Sequence, residues 1–186
     1  VTNQFPPRPL VGCLPDGFQG DNTSNSNSQI GSEDVADRLV TVFGGSGFVG
    51  RHVVKRLAAA GNRVCVAVRD VESAQFLKPM GDVGQIVPVF ANVRDDESVR
   101  AAVQGADAVL FSVGILFGRG RQTFESIHVA GAERVARAAV DNGAQRFIHI
   151  SALGADLKSD SSYARTKALG EERVKAAYPE ATIMRP

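Results

Sequence analysis

Tyr163 and Lys167 stand four residues apart in "SSYARTKALGEE", and on a helix that spacing puts both on one face. A lysine ammonium held beside a phenol favours the phenolate. The pair suits hydride-transfer chemistry, in which the tyrosine exchanges a proton with a substrate oxygen while the lysine holds the ribose of a nicotinamide cofactor. Alone, Tyr-x-x-x-Lys arises easily by chance. Its weight depends on the elements around it.

A second group of residues is suited to holding such a cofactor. Gly44, Gly47 and Gly50 form G-x-x-G-x-x-G in "LVTVFGGSGFVGRHVV", with Ser46, Phe48 and Val49 between them. A side chain at the first glycine would obstruct a tight turn. One at the second would hold the backbone off a pyrophosphate, and one at the third would push helix from strand. The helix that starts there offers unpaired N–H groups and about half a positive charge to the phosphates. Position carries this argument, because 19 glycines in 186 residues make glycine triplets common.

The choice of dinucleotide turns on the end of the next strand. Folds selective for NAD place an acid about 20 residues beyond the glycines, to bind the ribose hydroxyls. Here the count reaches "VAVRDVES", where Arg69 offers a planar fork suited to a 2′-phosphate. Arg51 adds a cation just inside the helix, and Asp70 is the opposing feature. The balance favours NADP(H) over NAD(H). Farther on, Asn92 and Val93 in "FANVRD" fall where an adenine edge would lie. Ser112, Val113 and Gly114 in "FSVGIL" fall along the central crevice. His128, in the fourth helix, either borders that crevice or is an ordinary histidine of the helix surface, and His149 is expected to pack or bond locally.

The elements that must position these residues alternate from Leu39 onward. Apolar runs predict strands at Leu39–Phe43, Arg63–Val68, Ile86–Phe90, Ala108–Val113, Phe147–Ile150 and Thr182–Met184. Three- and four-residue apolar spacing predicts helices at Phe48–Ala60, Ser73–Leu77, Asp96–Val103, Phe124–Asp141 and Ser162–Ala177. Strands apolar on both faces suit a parallel sheet between helix layers. The fold class that follows is α/β: a Rossmann-type doubly wound sheet, helices on both faces, in strand order 3-2-1-4-5-6.

Composition bounds the rest. The chain is 44% hydrophobic and 22% charged, with a formal net charge of +1, so no bulk field recruits nucleic acid. The two cysteines give neither a disulfide framework nor a metal-ligand cluster, and Cys65 reads as a small buried hydrophobe. The longest apolar run, "AVLFSVGILF", is too short to cross a bilayer. Residues 1–37, rich in Pro, Gly, Asn and Ser, read as a disordered tail, leaving 38–186 as the dinucleotide-binding domain.

The glycine turn, the fifth strand and "YARTK" together resemble the short-chain dehydrogenase/reductase superfamily, in its extended or atypical branch. A narrower likeness lies in "FLKPMGDVGQIVPV", "RFIHISALGAD" and "SSYARTKALGEERVKAAYPEATIMRP". These resemble the NAD(P)H-binding accessory subunit of respiratory complex I, the alpha-subcomplex subunit nine type, and its bacterial relatives. "LKPMGDVGQ" is the most specific piece, since a generic dinucleotide fold does not require it. The resemblance implies a nucleotide held structurally and other complex I subunits as partners. It also implies a cytoplasmic or peripheral inner-membrane place in a bacterium, or the matrix side of the inner membrane in a mitochondrion.

Two departures from the reductase pattern matter. The superfamily's third catalytic group is a serine or threonine after strand five, and here "HISALGA" gives Ser151 followed by Ala152. In one register Ser151 serves; in the other the alanine takes the catalytic place and Ser151 points elsewhere. The sequence also stops where strand six would finish, so the C-terminal substrate region of extended reductases is mostly absent. Two readings stand: a complex I-type nucleotide-binding subunit or assembly factor, or an active NADP-dependent oxidoreductase or epimerase using Tyr163 and Lys167.

Overall fold

All five residues of β1 (Leu39–Phe43) are buried, and so are five of the six in β2 (Arg63–Val68). β-Branched and aromatic residues of this kind pack well on a pleated surface covered from both sides. The computed structural model describes residues 38–186; the expected tail, with Cys13, lies outside them. β3 (Ile86–Phe90), β4 (Ala108–Phe111), β5 (Arg146–Ile150) and β6 (Thr182–Met184) complete one sheet of parallel pairs. Its order, β3-β2-β1-β4-β5-β6, is the doubly wound order expected from the alternation. Pro88, which cannot donate to a ladder, sits on edge strand β3 opposite Val66.

Helices cover both faces. On one, α1 (Phe48–Ala59) and a 3-10 stretch (Glu72–Met80) pack Val54 and Leu77 onto Val42, Val64 and Val66. On the other, α2 (Asp96–Val103), α3 (Ala130–Asp141) and α4 (Ser162–Ala177) cover Phe43, Val109, Phe111 and Phe147. Burial of each such side chain stabilises the fold by about 1.5–3 kcal/mol. The register puts Phe43 beside both Ala67 and Phe111, so the carboxyl ends of β1, β2 and β4 finish level. The chain reverses its winding between β1 and β4, and that is where a crevice opens in this kind of sheet.

Several elements depart from expectation. β4 ends at Phe111, two residues before the expected Val113, where the Ser112 hydroxyl bonds back to the Phe43 carbonyl at 3.0 Å. The helix expected over Ser73–Leu77 is a longer 3-10 run that includes Pro79, with the Ser73 N–H donating to Asp70 at 3.2 Å near its start. The helix expected over Phe124–Asp141 opens as a widened π turn, Glu125–Val129, and only then becomes α3. There Gly170 of α4 lies against the His128 carbonyl so closely that a Cβ would collide with it.

The "LKPMGDVGQ" stretch serves as a clip. Gln85 donates from Nε2 to the Ala58 and Asn62 carbonyls at 2.8 and 3.0 Å, and its Oε1 accepts from the Asp82 N–H at 2.8 Å. One side chain thus ties the end of α1 to the start of β3.

Candidate nucleotide site

Where β1 bends into α1, there is no room for a side chain at Gly44, Gly45 or Gly50. Gly44 has φ +78°, and a Cβ there would lie 3.0 Å from the Ser112 carbonyl carbon. A Cβ on Gly50 would collide with the Gly44 carbonyl oxygen, and one on Gly45 would stand 2.6 Å from Val66. Gly45 is therefore a requirement of the turn that the three-glycine spacing does not include. The first intrahelical donor is Arg51, whose N–H reaches the Gly47 carbonyl at 3.0 Å. The N–H groups of Phe48, Val49 and Gly50 thus lack intrahelical acceptors. No side chain caps this helix, and its first turn holds no acid. Its positive end stays unneutralised, and the residues fit a pyrophosphate.

In front of this turn lies a cleft of about 290 Å³. From the exits of β1 and β2 it is lined by Gly44, Ser46, Gly47 and Arg69. From the exits of β3 and β4 come Asn92, Val93, Ser112, Val113 and Gly114. Phe48 and Val49 point outward, 80% and 39% exposed, and Gly50 is buried behind the turn, so these three offer the cleft only backbone. Arg51 braces the back of the loop instead of entering the cleft. It donates to the Gly47 and Ser46 carbonyls at 3.2 Å, with its guanidinium 5.3 Å over the Phe76 ring.

The cleft includes residues that the sequence reading passed over. Arg94 follows Val93 directly and could have been taken as one more strand-exit residue. Gln122 carries no local signal; it enters from an irregular loop and accepts a hydrogen bond from Arg69 Nη1 at 2.7 Å. Asp70 lines the same end, with one carboxylate oxygen accepting from the Ser73 N–H.

The proposed proton-transfer residues lie apart from this cleft. Tyr163 is half-buried, its ring edge-on to Phe124 and His128 at 6.1 and 5.4 Å. Lys167 is buried, and its Nζ donates to the Ile150 carbonyl at 2.7 Å. Among the described residues no hydrogen bond joins Lys167 to Tyr163. Burial pushes the Lys167 ammonium down to about 8, against the opposing pull of the Glu171 carboxylate. Ser151 is buried, with its hydroxyl near the Glu171 carboxylate of α4.

Both buried histidines are neutral. Burial, with Lys167 adding to it, lowers His128 to about 4 and His149 to about 3. His128 Nε2 accepts from the Ile115 N–H at 3.1 Å, which leaves the ring proton on Nδ1 facing the Thr166 hydroxyl at 3.2 Å. This histidine pins the loop after β4 to α4. His149 packs, stacked on Phe111 at 5.5 Å, with both ring nitrogens unpartnered. Cys65 is fully buried, as expected of a small hydrophobe.

Comparison with known proteins agrees with this geometry. The chain is 39% identical over 157 residues to the mitochondrial NADH dehydrogenase (ubiquinone) 1 alpha subcomplex subunit 9 of Mus musculus, covering 84% of this chain and 42% of that protein. It is 34% identical over 148 residues to a ceramide reductase of Caulobacter vibrioides, covering 80% of this chain and 45% of that protein. A structure of the NAD-dependent epimerase/dehydratase type from Bacillus halodurans superposes with a TM-score of 0.70 at 28% identity, over 80% of this chain and 70% of that one. The chain spans about two-fifths of the length of the curated relatives it matches. The NAD(P)H-binding family matches residues 44–186, from the first glycine of the turn to the last residue of the sequence. The chain belongs to that family, and its cofactor class is a nicotinamide dinucleotide.

Proposed function

We propose that the chain is the nucleotide-holding part of a complex I accessory subunit or assembly factor of the alpha-subcomplex subunit 9 type, with NADP(H) as a structural ligand. One contrast carries this reading. The glycine turn opens onto a formed cleft, while the Lys167 ammonium is committed to the Ile150 carbonyl and Ser151 lies buried beside Glu171, outside the cleft lining. A nucleotide free at 100 times its dissociation constant adds about 2.7 kcal/mol of stability without any turnover. Relatives named as complex I subunits supply the partner class. Their mitochondrial names favour a place on the matrix side of the inner membrane, or its bacterial equivalent. Among the described residues no helix is long and apolar enough to cross a membrane, which accords with peripheral attachment.

NADP(H) is favoured because Arg69 lines the cleft at the exit of β2, while Asp70 spends one oxygen on the Ser73 N–H. On this reading Gly44, Ser46 and Gly47, with the N–H groups of Phe48, Val49 and Gly50, take the pyrophosphate. Asn92 and Val93 flank the adenine, and Ser112, Val113 and Gly114 border the path toward the nicotinamide. Tyr163 and Lys167, on α4 and outside the cleft lining, are the residues this reading assigns to its ribose.

A second reading keeps the same cofactor and makes the chain part of an active reductase. A bound nicotinamide supplies hydride chemistry. Tyr163 would supply the proton, Lys167 would exchange Ile150 for the ribose, and Ser151 would turn to hold the substrate oxygen. The likeness to a ceramide reductase favours it. Purifying the full-length protein from its source membrane separates the two. Complex I subunits with one equivalent of nucleotide support the first reading. A free protein that reduces a carbonyl substrate, and loses that activity in Tyr163→Phe, overturns it.

A further inference from the structure

We propose that Gln122 is a cofactor-selecting residue, which fixes the Arg69 guanidinium so that the rest of its fork is presented to a 2′-phosphate. The inference rests on the reading of Arg69 as the phosphate-binding cation. Arg69 Nη1 donates to Gln122 Oε1 at 2.7 Å across 53 residues of sequence, and both side chains line the cleft. Among the described residues Arg69 has no other hydrogen bond or ion pair, so Nε and Nη2 are uncommitted. An exposed arginine has about 2 kcal/mol of rotamer entropy to lose on binding an anion. A neutral acceptor on one corner restricts the fork beforehand and leaves its full charge for the ligand. A carboxylate in the same place would cancel that charge.

The acceptor is itself held. Gln122 and Arg119 exchange backbone hydrogen bonds at 2.9 and 3.1 Å around a tight turn in which Gly120 has φ +57°. Just beyond, Thr123 and Ser126 exchange hydrogen bonds from backbone N–H to side-chain hydroxyl, at 2.9 and 3.1 Å. The loop is thereby fastened to the π turn that carries His128, and His128 in turn fixes Ile115 at the loop's other end. The same tight turn carries Arg119 and Arg121, both exposed, which add positive potential on this side of the molecule.

Calorimetric titration of the full chain with NADPH and with NADH tests the assignment, using wild type, Arg69→Ala, Gln122→Ala and Gln122→Glu. Gln122→Ala is expected to reduce the preference for NADPH by about two- to tenfold, with NADH affinity unchanged. Gln122→Glu is expected to reduce it by more than about tenfold, because the new carboxylate pairs with Arg69 and repels the phosphate. An unchanged preference in both Gln122 variants, with preference lost in Arg69→Ala, overturns the role of Gln122 and leaves Arg69 as the phosphate reader. A wild type without preference, or an Arg69→Ala variant that keeps it, overturns both.

Discussion

Arg185 donates from Nε and Nη2 to the two oxygens of Glu171, at 2.9 and 2.6 Å, tying α4 to the chain just beyond β6. The same carboxylate supports the Lys167 ammonium against the cost of burial. Glu171→Gln removes both effects. Its expected effect is a loss of stability smaller than that of breaking a fully buried pair, because the Arg185 side chain is 46% exposed. Lys167 is also expected to titrate below its value of about 8, since the charge that favours its ammonium is gone. Urea denaturation and an NMR titration of the lysine check the two effects separately.

Gly50→Ala forces a methyl group against the Gly44 carbonyl, where both partners are backbone and neither can rotate away. The start of α1 must shift. Stability is expected to fall by about 1–3 kcal/mol, as overpacking typically costs. Dinucleotide affinity is expected to fall by more than about tenfold, because the unpaired N–H groups move with the helix. Thermal melts with nucleotide titrations check this, and unchanged affinity would exclude the turn as the phosphate site.

Arg69→Glu replaces the cation at the end of β2 by an acid. NADPH affinity is expected to drop by more than about tenfold, through lost attraction and added repulsion, while NADH affinity changes little. Equal losses for the two nucleotides would show that Arg69 does not read the phosphate.

The two buried histidines predict acid sensitivity. Each titrates near 6.5 when unfolded but only at about 4 (His128) or about 3 (His149) in the folded chain. The unfolded state therefore binds protons first as pH falls. Stability is fully present above the unfolded value and is lost progressively toward the folded values. From pH 6 to pH 5 the expected loss is about 2 kcal/mol, near 1.4 kcal/mol per pH unit for each histidine at most. His149→Phe, which preserves the stack on Phe111, should remove roughly half of that slope in urea melts at several pH values. An unaltered slope would exclude His149 as a source.

Much of the scaffold could be read from the chain because its signals are local. The doubly apolar runs at Leu39–Phe43 and Arg63–Val68, and the three spaced glycines from the end of β1 into α1, identify the sheet and the place of the turn without knowledge of any distant contact. What escaped depends on contacts between distant segments. Gln122 meets Arg69 only because the loop after β4 folds back over the exit of β2. The π turn at Glu125–Val129 lies where Gly170, 42 positions downstream of His128, packs against the His128 carbonyl. The spacing of Tyr163 and Lys167 placed both on α4, but helical periodicity does not reveal that Lys167 donates to Ile150. Nor does it decide which way Ser151 turns.

Whether the bend between β1 and α1 receives the phosphates of a nicotinamide dinucleotide is decided by a calorimetric titration of the folded full chain with NADPH. Saturation at one equivalent per chain, abolished or strongly weakened in Gly50→Ala, is the predicted result. A folded wild-type chain that takes up no dinucleotide would contradict it.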